Sequence, residues 1–126
     1  MRQIITILSL TLLFFITACY YDKKDLIYPQ TTVNCDTTTV GFNAAILPIL
    51  QTNCNNCHSS QSAASSGANI VLDNYNAVKI HVNNSSLLNS ILQNGKASAM
   101  PKNSVKMDAC SINKVTAWIN KGALNN

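Results

Sequence analysis

From about residue 39 onward, apolar residues recur at the spacing of helices rather than of strands. Phe42, Ile46, Ile49 and Leu50 predict a first helix over residues 41–52, and Pro48 is expected to kink it or to delay its regular part. Tyr75, Val78 and Val82 predict a second over residues 74–81, with Asp73 as the cap and Asn83 or Asn84 as the stop. Leu87, Leu88, Ile91 and Leu92 form a 3.6-residue stripe that starts at Ser85 or Ser86 and stops at Asn94-Gly95. Ile112, Val115, Trp118 and Ile119 give the face of a terminal helix over residues 112–121, capped by Ser111 and ended by Gly122. Residues 59–67 read as a small polar loop, and residues 96–107 as an irregular stretch around Met100-Pro101. No strand pattern is present. The expected class is all-α, three to five short helices joined by long loops.

The start of the chain has a different pattern. Residues 4–16 are apolar, broken only by small hydroxyls, behind a short positive leader containing Arg2. The run is too short to span a bilayer and reads as a secretory signal over residues 1–18. Ile16-Thr17-Ala18-Cys19 reads as a lipobox, so Cys19 is expected to carry lipid and hold the protein at a bacterial membrane, outside the cytoplasm. The alternative is an ordinary signal in which Cys19 is incidental. Residues 19–38 lack amphipathic period and read as a tether, with a Thr-rich stretch around Cys35. Residues 39–126 form the one domain.

Formal charge is +4, and loss of Arg2 with the signal leaves eight Lys against five Asp. There is no basic run with interleaved aromatics, which argues against nucleic acid as a partner. Lys96, Lys102 and Lys106 bracket the Met100 loop and are read either as a steering patch for an acidic partner or as a solvated face.

Chemistry enters with Cys54-Asn55-Asn56-Cys57-His58, a Cys-x-x-Cys-His sequence and the attachment signature of a c-type haem. In a chain of this composition it would arise by chance roughly 0.003 times, which makes it specific. Cys54 and Cys57 would bind the porphyrin covalently and His58 would be the proximal iron ligand. The competing readings are a thioredoxin-like or a zinc-binding Cys-x-x-Cys, but the first lacks a βαβ pattern and the second lacks a further ligand pair. Met100, restrained by Pro101, is the distal candidate; Met107 and His81 are its rivals. Leu72, Tyr75, Leu88, Ile91 and Leu92 are read as haem-pocket residues or, alternatively, as ordinary interhelical packing. Tyr75 could bond a propionate. With Cys19 assigned to lipid, Cys35 and Cys110 remain, and an oxidising compartment favours a disulfide over two buried thiols. Short helices and long loops bury little core alone, and a covalent haem would supply the missing apolar mass.

The Cys54-x-x-Cys57-His58 motif, Met100-Pro101-Lys102 and Trp118-Ile119-Asn120-Lys121-Gly122-Ala123 together resemble the small single-haem class I cytochromes c, and more narrowly haem domains of bacterial extracytoplasmic lipoproteins. The likeness covers residues 39–124. It implies a cytochrome c-like fold around one haem c, and a cysteine before the first helix and another before the last, places taken here by Cys35 and Cys110. Where such domains carry a glycine and an aromatic in the first helix, this chain has Ile46 and Leu50; Trp118 takes the aromatic place of the last helix. The expected function is single-electron transfer between extracytoplasmic redox proteins of a respiratory chain, with no catalysis. Two alternatives stand beside it: a haem enzyme or gas or peroxide sensor with a labile distal ligand, and a surface lipoprotein with a structural haem.

Overall fold

The computed structural model describes residues 35–126. The signal-like segment, the lipobox with Cys19 and most of the tether lie outside the described residues. Those described are all-α, with no strand. A π-helical turn, Phe42–Ile46, runs into α1, Leu47–Asn53. Then come α2, Asn55–His58; α3, Ala63–Ser66; α4, Tyr75–Asn83; α5, Ser86–Leu92; and α6, Ala109–Asn120. Two single-turn helices, α2 and α3, raise the count above the sequence expectation, because a four-residue turn is too short to show a periodic stripe.

Pro48 explains the opening turn. It has no N–H to give and its ring crowds the carbonyl one turn back. The chain widens there: Ile46 N–H donates to Gly41 O at 3.3 Å and Leu47 N–H donates to Phe42 O, both five residues apart. Regular α-helix begins at Leu47, with Pro48 in its first turn. The sequence offered a kink or a delayed start, and the chain takes the delay.

Two caps differ from expectation. α4 is capped by Asn74, whose Oδ1 accepts from Ala77 N–H at 3.0 Å. Asp73, expected in that role, instead accepts from the Ser60 amide and ties the loop after α2 to α4. α6 begins at Ala109, capped by Asp108, which accepts from Ser111 N–H at 2.9 Å. Ser111 therefore lies inside the helix. In both cases an Asx carboxylate or amide reaches the orphan amide three residues on. α5 ends at Leu92 with Gln93 in the left-handed region (φ 53°), before Asn94-Gly95. Gly122, at φ 93°, follows α6.

The core forms where the π-turn crosses α6. Phe42, Ile46, Leu50, Val78, Val115 and Trp118 are all essentially sealed from solvent. The Phe42 ring lies 5.6 Å from Trp118 and meets Tyr75 edge-on at 5.2 Å. The end of the chain straps these elements together. Trp118 Nε1–H donates to Leu124 O, Tyr75 Oη–H donates to Ala123 O at 2.9 Å, and Asn126 accepts from Phe42 N–H and Asn43 N–H. Cys35 and Cys110 are joined by a disulfide that closes a 75-residue separation. Among the described residues, no helix is long and apolar enough to cross a membrane.

Candidate functional site

α2 is one turn long and carries the motif. His58 N–H donates to Cys54 O at 2.9 Å, which winds residues 54–58 so that Cys54 and Cys57, three apart, share a side. The two thiols are free and not joined to each other. Burial pushes the Cys54 thiol up to about 11, so it stays an S–H group at neutral pH. A redox-exchange Cys-x-x-Cys needs the opposite shift, toward thiolate. Among the described residues, no group of three or more His, Cys, Asp or Glu side chains is arranged to hold a metal ion.

The His58 ring is held by the backbone. Its Nδ1 lies 3.0 Å from Ile70 O, and a carbonyl can only accept, so Nδ1 carries the proton. In the neutral ring Nε2 then keeps its lone pair for a metal. Leu72 N–H donates to His58 O at 2.7 Å, so the strand of backbone at 70–72 grips the residue twice.

Cys54, Cys57 and His58 line one cavity of about 560 Å³, within the roughly 300–1,000 Å³ of small-molecule and cofactor sites. Met100 lines it too. Both backbone groups of Met100 are bound to α5 and its end: its N–H donates to Ser90 O at 3.1 Å, and its carbonyl accepts from Gln93 Nε2 at 3.1 Å. The left-handed Gln93 that ends α5 is thus also an anchor for the Met100 loop. Ile70, Leu72, Leu87, Ile91 and Met107 supply apolar wall.

Of the five pocket residues read from the sequence, Leu72 and Ile91 lie on this wall. Tyr75 does not: its hydroxyl is bonded to Ala123 O and its ring packs on Phe42. Leu88 and Leu92 pack half-buried against the core. The wall of α5 is instead Leu87 with Ile91, four apart on one face. A stripe of four leucines and isoleucines marks a buried helix but not which edge faces a cavity. Ile70 stands in the short apolar run Ile70-Val71-Leu72, which has no period from which a cavity face could be read.

Both rivals of Met100 are present. Met107 is buried and shared between core and cavity. His81 lines the cavity with Ser86, whose hydroxyl sits 3.2 Å from His81 Nδ1. Burial, and then the nearby His58, lower the pKa of His81 and favour its neutral ring. Of the three loop lysines, Lys106 donates to Leu92 O at 2.8 Å, while Lys102 lies at the cavity. Comparison with protein-family models, curated proteins and solved structures finds no significant match.

Proposed function

We propose that this chain is a single-haem c-type cytochrome of the class I kind, carrying single electrons between redox proteins on the outer side of a bacterial membrane. The observation that carries the reading is the convergence of Cys54, Cys57, His58 and Met100 on one largely apolar cavity. The donor set fits haem c. Each thiol would add S–H across a vinyl group, sulfur taking one carbon and hydrogen the other, with nothing lost. His58 would ligate through Nε2, and the Met100 thioether would fill the distal place.

Haem, when bound, supplies a one-electron ferric/ferrous couple. The residues do the rest. Ile70 O fixes the imidazole tautomer, Ser90 and Gln93 fix the Met100 backbone, and Leu72, Leu87 and Ile91 give the cavity an apolar wall. A thioether favours the ferrous state over a second nitrogen donor, which sets a relatively high potential. With His58 and Met100 both holding the iron, little would rearrange on electron transfer and no substrate would reach the metal. Lipid on Cys19 would raise the local concentration at membrane partners.

Oxidised and reduced absorption spectra with potentiometric titration test this reading. It requires reversible one-electron cycling, the weak red charge-transfer band of Met-ligated ferric haem, and no carbon monoxide binding to the reduced protein. A holoprotein with no redox cycling at accessible potentials overturns it. One observation favours a second reading, a sensor or enzyme with an open iron site: His81 stands at the cavity as a possible acid–base group. Ready carbon monoxide binding to the wild-type protein would select that reading.

A further inference from the structure

Gly67 is buried beside the motif, in the loop that follows α3. Its backbone is ordinary, φ −108° and ψ 13°, a conformation open to any residue. The next two residues are the ones in the left-handed region, Ala68 at φ 53° and Asn69 at φ 62°. The chain thus places alanine where positive φ costs roughly 1 kcal/mol or more, and glycine where no such cost exists. Conformational freedom does not account for Gly67. Space does. A Cβ there would lie 2.3 Å from the Cys57 carbonyl oxygen, 2.9 Å from His58 Nδ1 and 3.0 Å from Ala63 Cα. Two of these neighbours are backbone and the third is a ring already fixed by a hydrogen bond, so none yields freely.

The same glycine closes the turn that delivers the partner of His58. Gly67 N–H donates to Ala63 O at 3.0 Å, and Ile70 N–H donates to Gly67 O at 2.9 Å. That turn sets the Ile70 carbonyl 3.0 Å from His58 Nδ1. We infer that Gly67 is a positioning residue for the proximal imidazole: its missing side chain lets the 67–70 turn lie flat against Cys57 and His58, and so sets the Nδ1–H bond that tunes His58 as a ligand. The inference rests on the haem reading for its effect on iron, and on the protein alone for its effect on the ring.

Gly67→Ala and Asn69→Gly, the second at an exposed position outside the cavity, separate this from a packing role. Gly67→Ala must move the Cys57 carbonyl or the imidazole. Weakening the Nδ1–H bond to Ile70 makes the ring a poorer donor, so the reduction potential rises and the hyperfine-shifted His58 ring resonances move. Asn69→Gly adds no atom, relieves positive φ and keeps the backbone N–H, so potential and ring resonances stay at wild-type values. A Gly67→Ala protein that melts lower but keeps the wild-type potential and His58 resonances overturns the inference. If Gly67→Ala does not fold, the wild-type protein decides: a slowly exchanging His58 Nδ1–H supports the inference and a rapidly exchanging one overturns it. A wild-type chain without attached haem, by mass, sinks the haem reading instead. Nitrogen NMR of His58 in that same chain then still tests the positioning, with the Nδ1–H tautomer expected in wild type and lost in Gly67→Ala.

Discussion

His58 and Tyr75 show how differently two polar side chains can be read. The tautomer of His58 follows from a single acceptor, Ile70 O, twelve residues away. Tyr75 was a candidate to bond a propionate, yet its hydroxyl donates to Ala123 O, forty-eight residues on. Tyr75→Phe should therefore cost about 1 kcal/mol of stability, the net worth of one hydrogen bond, and leave the haem spectrum unchanged. A spectral change in that variant, seen in the oxidised and reduced protein, would return Tyr75 to the pocket. Met100 gives the contrasting expectation. Met100→Ala keeps the Ser90 and Gln93 backbone contacts but removes the thioether, so the red charge-transfer band should vanish and carbon monoxide should bind the reduced protein. A variant that stays six-coordinate with a lower potential would show a nitrogen ligand from the cavity wall, His81 or Lys102, in the place of the thioether. The Cys-x-x-Cys-His motif was legible because its residues are contiguous. The Ile70, Ser90 and Gln93 contacts were not, because they depend on backbone groups that every residue carries.

At the scale of elements, the terminal helix and α5 stood out in the sequence because their apolar stripes are long enough to fix a period. Their ends were less legible. Ser111 and Asp108 are both capping residue types, three apart, and only the backbone decides which of them lies outside the helix. Hydrogen bonds from Ser111, its hydroxyl first and then its amide, hold the Asp108 carboxyl below its usual range. A depressed folded-state value means that protonation favours the unfolded chain. The cap's contribution is therefore present above about pH 4 and is lost as pH falls through the folded-state value. Asp108→Ala should cost about 1 kcal/mol at pH 7 by denaturant titration, and the gap from wild type should close below about pH 4. A gap that persists in acid would assign the loss to packing. Pro48 worked in the same way: its missing N–H was readable, but the choice between a kink and a turn widened by one residue over Phe42–Ile46 was not.

The described domain, residues 35–126, is short helices held by long-range straps. Asn126 caps the start of the first helix, Lys79 donates to Gly122 O and Ala123 O, and Lys121 donates to Thr37 O and Thr38 O. Each strap joins residues more than forty apart, so no local pattern announces it. The cysteine arithmetic did announce one, Cys35 with Cys110, since few thiols remained to pair. Closing that separation of 75 residues constrains the unfolded chain by about 4 kcal/mol on the loop-entropy account. The double variant Cys35→Ser/Cys110→Ser should unfold at lower denaturant with its haem spectrum retained, because the bridge lies at the start of α6 and not at the cavity. Loss of the spectrum in a still-folded variant would tie the bridge to the site.

Covalent haem attachment is the part of the proposal on which the rest depends most. Peptide mass spectrometry, on protein matured in a periplasm able to attach haem, tests it most directly. The fragment containing Cys54, Cys57 and His58 should carry the mass of one iron-porphyrin and keep it through acid extraction. Recovery of that fragment at its bare mass, with both thiols free, would contradict the account.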